Sequence, residues 1–307
     1  MKSDEICQFC GSPPTFYLND NKLVQCRDCD LIFLSPELKN KNLESYYSEG
    51  DFWKNQLVDP EAVAMAVGNS QECLGWIKNY LGDYRGKRLL DIGAHHGFFV
   101  DEAKKSGFGA CGIEINKHLV EEAQKRGVPL YLGSAEKFSI PSPFNVITMF
   151  HVLEHVEDPK LVVSNIVKNL RPGGLFVLEV PNIESYLAKN HGLSWRYIAL
   201  EHLLYFSPKT LFNLLSSFGF EILMHKRRNY EVQYMSLGNI REYFFPTKNF
   251  YRNRFQPKNK TSRAIVLSPR IKFIHNLVKN IGIKKFLYQI LNLLNRGDHL
   301  FVIARRV

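Results

Sequence analysis

Lys87-Arg88-Leu89-Leu90-Asp91-Ile92-Gly93-Ala94-His95-His96-Gly97-Phe98-Phe99 is the stretch whose reading decides the fold. A short apolar run ends in an acid, a tight Gly-containing turn follows, and an amphipathic segment opens after Gly97. This pattern predicts a strand, a loop and a helix, with a nucleotide-type pocket at the carboxyl end of the strand.

Working outward, apolar strand-like runs alternate with helical stripes. Strands are expected at 87–92, 110–115, 130–132, 145–150, 175–180 and 220–225. Helices are expected at 61–82, 98–106, 117–125, 160–170 and 208–218, several stopped by Gly107, Gly127 or Pro172-Gly173-Gly174. Asp298 to Arg306 reads as a last strand lying antiparallel to 220–225. The expected fold is α/β: a Rossmann-like, doubly wound, seven-stranded sheet whose last strand is antiparallel.

The amino-terminal part reads differently. Cys7-x2-Cys10, fifteen residues and Cys26-x2-Cys29 have the spacing of a zinc ribbon, with four thiolates able to close a tetrahedron around Zn2+. Without an apolar leader after Met1 a cytoplasmic protein is expected, where a metal site is favoured over two disulfides. Nothing approaches the roughly 18 apolar residues of a membrane span. The expected organisation is a ribbon at 1–36, a linker and helix at 37–84, a core at 85–226 and 298–307, and an insertion at 227–297.

Charge singles out that insertion. The net charge is +10, but between Lys226 and Arg296 stand 16 Lys or Arg against two acids, +14, which leaves −4 for the rest. Such a segment seeks an acidic partner. It also carries apolar stripes through Ile274, Leu277, Val278 and Ile281, and again through Ile283, Phe286, Leu287 and Ile290. Three readings stay open: a lid over the substrate, an element resting on an anionic membrane from its inner face, or a nucleic-acid contact.

The glycines of the central turn narrow the ligand. A dinucleotide fingerprint needs G-x-G-x-x-G, and His95 stands where its second glycine would be. A pyrophosphate is disfavoured, and an adenosine carrying an amino acid, S-adenosylmethionine, fits. Asp91 with Gly93, Ala94, His95 and Gly97 would meet its amino-acid end. Glu114, followed by Ile115, would accept from the ribose diol. Ser134, Ala135 and Glu136 would meet the adenine, and Phe150 and His151 would complete the slot.

Asp91-Ile-Gly93-x-x-x-Gly97, Gly112-Ile-Glu114, His151-x-x-Glu154-His155-x-x-Asp158-Pro159 and Leu170-Arg-Pro-Gly-Gly174, in this order, resemble the class I S-adenosylmethionine-dependent methyltransferases. With the cysteine ribbon in front, the chain is similar to a subset serving sugar and surface-polysaccharide pathways. Two departures stand out: His95 replaces the middle glycine, and Ser134 stands where an acid commonly meets the adenine amine. The resemblance implies a general base in Glu201-His202-x-x-Tyr205-Phe-Ser, namely His202 with Glu201 and Tyr205 near it. It also implies a saccharide-type small-molecule acceptor. The large second domain of the sugar C-methyltransferases has no counterpart in these residues, so O-methylation is expected over C-methylation. An RNA methyltransferase, and a methyltransferase-like fold that binds the cofactor without turnover, are the competing readings.

Overall fold

The computed structural model describes residues 7, 9–12, 16–18, 22–38, 60–138, 140–141, 143–229 and 297–307. The basic segment, apart from its flanks, and the aromatic linker with Tyr46, Tyr47, Phe52 and Trp53 lie outside the described residues.

Three short strands come first: β1 (Phe16–Leu18), β2 (Leu23–Gln25) and β3 (Ile32–Leu34). Helix α1 (Pro60–Leu81) leads into β4 (Arg88–Ile92), α2 (Phe98–Lys105), β5 (Gly109–Glu114), α3 (Lys117–Lys125), β6 (Leu130–Leu132) and β7 (Phe144–Phe150). Then follow α4 (Pro159–Asn169), β8 (Leu170–Pro181), α5 (Tyr186–His191), β9 (Leu204–Tyr205), α6 (Pro208–Ser217), β10 (Phe220–Arg228) and β11 (His299–Arg306).

The main sheet has seven strands in the order β10-β11-β8-β7-β4-β5-β6. The β4, β5, β6, β7 and β8 ladders are parallel, and β11 runs antiparallel between β10 and β8. This is the expected Rossmann-like architecture. The alternation of strand side chains divides the core. Along β8, Leu175 and Val177 face the layer of Cys73, Leu74 and Ile77 from α1 and Val100 and Ala103 from α2. Phe176, Leu178 and Val180 face Val162, Val163 and Ile166 of α4 and Leu211, Leu214 and Leu215 of α6.

Local signals explain the helix starts. Asp158 caps α4 by accepting from the Leu161 amide at 2.9 Å, with Pro159 next. Ser207 caps α6 in a reciprocal capping box with Thr210, again followed by a proline.

Two features differ from the sequence reading. Arg171 to Gly174, expected as a turn before a strand, lies within β8: Leu170 pairs with Phe144 and Leu175 with Val146, so the four residues bulge opposite Asn145. And β9, absent from the expected elements, pairs antiparallel with β3, Ile32 opposite Tyr205 and Phe33 opposite Leu204. The cysteine-bearing strands and β9 thus form one four-stranded sheet, order β1-β2-β3-β9. Leu23, Val24, Leu31, Phe33 and Leu34 share a core with Leu153, Leu203 and Leu204.

Candidate active site

The turn after β4 is built for close approach. Gly93 has φ 73°, and a Cβ there would meet Val152 Cγ2 at 2.3 Å. The Gly93 and Ala94 amides both donate to Ile113 O at 2.9 Å. His95 adopts φ 51°, the left-handed region that a glycine would fill more cheaply. Its amide donates to Glu114 Oε2 at 2.8 Å, while Asn116 donates to Glu114 Oε1 at 2.9 Å. Each Glu114 oxygen takes at least one backbone donor, and a carboxylate has about four lone-pair sites in all. The geometry suits a vicinal diol such as that of a ribose. Burial raises the Glu114 pKa, and the Asn116 and His95 amides work against that rise.

Asp91 is buried at the end of β4 and accepts from Thr148 Oγ1 at 2.6 Å. Burial pushes its pKa up to about 7; Thr148 lowers it and the nearby Glu114 raises it further. Gly97 caps α2 with φ 75°. Ser134 closes a turn by accepting from the Lys137 amide at 3.1 Å, with Ala135 buried beside it. The Glu136 carbonyl accepts from Asn165 Nδ2 at 2.7 Å, and Ile115 follows β5 directly. The Phe150 ring lies between Phe99 at 4.9 Å and Phe301 at 6.3 Å. His95, His96 and Phe98 rings neighbour one another, and burial pushes His95 and His96 down, to about 3 and about 4.

Beyond the carboxyl ends of β7 and β8 lies a second polar centre. His151 has φ 55°, donates its amide to Glu179 O at 2.8 Å and places Nδ1 3.4 Å from Glu154 Oε1. Glu154 is 1% exposed, and the imidazoles of His151 and His155 face its carboxylate. His155 Nε2 lies 4.0 Å from Glu154 Oε1, and its Nδ1 is 2.8 Å from Glu201 O. A carbonyl only accepts, so His155 Nδ1 carries a proton and points it away from Glu154. The His202 ring lies 4.7 Å from that of His155. Burial and then the charge of His155 push His202 down to about 3. Burial tends to raise Glu154, but His151, His155 and His202 together outweigh it and hold the carboxyl at about 2. One ligand atom from each of Glu154, His155 and His202 lies within 4.8 Å of the others, and the three can hold a divalent cation.

The sequence-read base cluster is brought together only in part. His202 reaches the centre, whereas Glu201 contributes its carbonyl to His155. Tyr205 donates its hydroxyl to Ala199 O at 3.2 Å, with its ring 6.4 Å from His202. Sequence reasoning missed a neighbouring network. Tyr197 Oη is 2.9 Å from His299 Nε2, His299 Nδ1 is 3.9 Å from Glu179 Oε1, and Arg228 binds Glu179 Oε2 at 3.1 Å and Glu72 at 2.6 Å. The signal was present: Glu179 interrupts an apolar strand, and His299 opens one.

At the amino terminus, Cys7 and Cys29 Sγ lie 3.5 Å apart, Cys10 and Cys26 Sγ 3.4 Å apart, and all four within 4.8 Å. Tetrahedral Zn–S bonds of about 2.3 Å require sulfurs about 3.8 Å apart, so the four sulfurs fit such an ion. Burial pushes the Cys7 and Cys29 thiols up, a cost that a bound cation reverses.

The family described as a methyltransferase domain matches residues 68–225, just over half of the chain. The chain belongs to the S-adenosylmethionine-dependent methyltransferases. The ubiquinone biosynthesis O-methyltransferase of Aromatoleum aromaticum is 30% identical over 185 residues, covering 54% of this chain and 78% of that protein. The enzyme of the same name from Idiomarina loihiensis is 28% identical over 136 residues, covering 40% of this chain and 56% of that protein. Against the latter, this methyltransferase spans little more than half of the relative's length. A solved S-adenosylmethionine-dependent methyltransferase from Archaeoglobus fulgidus is 18% identical, with 77% of this chain and 94% of that one covered at a TM-score of 0.47. No helix among the described residues is long and apolar enough to cross a membrane.

Proposed function

We propose that this methyltransferase moves a methyl group from S-adenosylmethionine to a hydroxyl oxygen of a small-molecule acceptor held at the Glu154–His155–His202 centre. The observation that carries the reading is Glu154. An ionised carboxylate stripped of water costs several kcal/mol unless a cation or good donors meet it. Here imidazoles surround it, with His151 Nδ1 at 3.4 Å and His155 Nε2 at 4.0 Å from Oε1. A cation held between the carboxylate and the imidazole nitrogens would offset that cost. Glu154, His155 and His202 supply a two-histidine, one-carboxylate set suited to a divalent transition metal, with His151 beside it.

S-adenosylmethionine supplies a methyl group on a positive sulfonium. Glu114 holds the ribose, the Gly93–Gly97 turn receives the amino acid, and Asp91 faces the ammonium. The acceptor hydroxyl binds at the centre, where Glu154, His155 and His202 would hold a divalent cation that would supply Lewis-acid activation of the hydroxyl. The hydroxyl proton leaves to solvent, the oxygen attacks in line, and the carbon–sulfur electron pair returns to sulfur. His202, a neutral imidazole that resists protonation, serves as a ligand in this scheme and not as the lone general base suggested by the sequence.

The names of the relatives support oxygen as the methylated atom. The saccharide class of acceptor rests on the sequence resemblance alone. The membrane and nucleic-acid readings rest on a segment outside the described residues. The test is conversion to S-adenosylhomocysteine with a catechol and with a methyl glycoside, with and without Mn2+, by native protein and Glu154→Gln. Metal-stimulated turnover by native protein that the variant loses supports the reading. Equal turnover by the variant, or no turnover with either acceptor class, sinks it.

A further inference from the structure

The cysteine sheet and the polar centre meet at one peptide. Leu203 N–H donates to Glu154 O at 2.8 Å, and Leu203 C=O accepts from Leu34 N at 2.9 Å. On one side of residue 203 stands the carboxylate residue of the centre, and on the other the last residue of β3. His202 is the preceding residue, so the Leu203 amide fixes where His202 leaves the chain.

β9 is two residues long and cannot hold itself. Its order comes from β3 on one edge, from Glu154 at Leu203, and from Phe206, whose carbonyl accepts from Ile183 at 3.0 Å. β3 in turn starts from the second cysteine turn. Cys26 N–H donates to Leu31 O at 2.9 Å, Asp30 N–H donates to Cys26 O at 3.0 Å, and Asp30 is left-handed at φ 62°. A strained turn beside strands of three residues needs an outside constraint, and a metal tying Cys26 and Cys29 to Cys7 and Cys10 supplies it. The Lys209–Asp30 ion pair at 2.6 Å is exposed and adds little. The cofactor turn, by contrast, is built from β4 and β5 and takes its backbone bonds from Ile113 and Glu114.

We infer that the four-cysteine sheet is a positioning element for the acceptor centre: through Leu34, Leu203 and Glu154 it sets the placement of His202 and leaves cofactor binding untouched. This rests on the acceptor reading of the Glu154–His155–His202 centre given above. Loss of metal at the cysteines then loosens β3, frees the Leu203 peptide and lets His202 drift. A shift of about 1 Å at a reacting group costs turnover on the order of 100-fold.

The experiment uses the full chain, zinc-loaded, and Cys26→Ser. The readouts are zinc content, S-adenosylhomocysteine affinity by calorimetry, amide hydrogen exchange across residues 200–206, histidine ring resonances, and turnover. Expected for Cys26→Ser are loss of zinc, unchanged S-adenosylhomocysteine affinity, loss of exchange protection at Leu203, shifted His202 and His155 resonances, and the 100-fold loss of turnover. Should Cys26→Ser fail to bind S-adenosylhomocysteine, native protein is titrated with a thiol-directed mercurial and restored with dithiothreitol. This removes zinc from sulfur ligands reversibly, and Leu203 protection should fall and recover with it. Zinc loss by either route with Leu203 protection and histidine resonances unchanged overturns the inference. If native protein methylates no hydroxyl acceptor, the acceptor reading fails, while the exchange and resonance readouts still decide whether the cysteine sheet holds His202.

Discussion

The Tyr197 hydroxyl lies 2.9 Å from His299 Nε2, bridging positions 102 residues apart in the chain. With the phenol donating to Nε2, His299 carries its proton on Nδ1, turned toward Glu179 Oε1 at 3.9 Å. The same phenol ring stacks at 12° and 6.1 Å from His202. Tyr197→Phe should keep the ring and lose the bond. The expected cost is about 1 kcal/mol in urea unfolding, with the His299 resonances shifted and S-adenosylhomocysteine affinity intact. Unchanged His299 resonances would show that the bond does not form in solution.

Arg228 is 1% exposed and neutralises Glu179, which is fully buried, while also binding Glu72 and Asn69. Arg228→Met strands a buried carboxylate and should destabilise the fold by about 3–5 kcal/mol. Adding Glu179→Gln should recover part of that loss, because the orphaned charge goes with it. Thermal unfolding of both variants checks the order. A double variant no more stable than the single one contradicts the assignment.

Glu114→Gln keeps shape and volume but turns one acceptor oxygen into a donor facing the amide of His95 or Asn116. Hydrogen bonds to a charged group contribute about 1.5–3 kcal/mol. S-adenosylhomocysteine affinity should therefore fall tenfold or more, roughly, on the scale of 1.4 kcal/mol per decade. Calorimetry that finds native affinity would remove Glu114 from the cofactor site.

Asp91 gives a pH signature. Its folded pKa, raised by burial to about 7, lies above the unfolded value of 3.8. The stability it contributes is therefore fully present below about pH 4, declines as pH rises, and is gone above about 7. A cofactor ammonium favours the ionised form, so binding below pH 7 should release a proton at this residue. Affinity should rise with pH up to about 7 in native protein and stay flat there in Asp91→Asn. Calorimetry in buffers of different ionisation enthalpy reads the proton count directly, and no release at pH 6 would refute the assignment.

His202 adds a negative expectation. Burial holds it at about 3, so turnover should show no inflection near the ordinary histidine value of about 6.5 from this ring. A pH–rate inflection there that vanishes in His202→Asn, with the fold retained, would restore its role as a titrating base.

What could be read in the sequence was local. The β4 turn, Glu114 at the end of β5 and the capped starts of α4 and α6 are written in residues a few positions apart. What could not be read was assembled across the chain. Glu179 and His299 lie on adjacent strands near Pro181 and the start of β11, and only the β8–β11 register brings them together. The pairing of β3 with β9 was illegible for a related reason: a two-residue strand has no period to detect, and its partner lies some 170 positions earlier. Arg171 to Gly174 carries strong turn residues, and the ladder resumes on both sides of it all the same.

β11 lies inside the sheet, flanked by β8 and β10, yet it joins the chain some 70 positions after β10 ends. β10 can therefore find no strand to pair with until that distant segment returns, and the two ladders on either side of β11 form together or not at all. Pairing of such high sequence separation belongs late in folding. The entropy of closing the intervening stretch grows only with the logarithm of its length, about 0.6 kcal/mol per doubling. Evolution can lengthen, shorten or replace the residues between β10 and β11 at little cost to the sheet, whereas any change that delays β11 leaves two unsatisfied strand edges exposed to other chains in the cell.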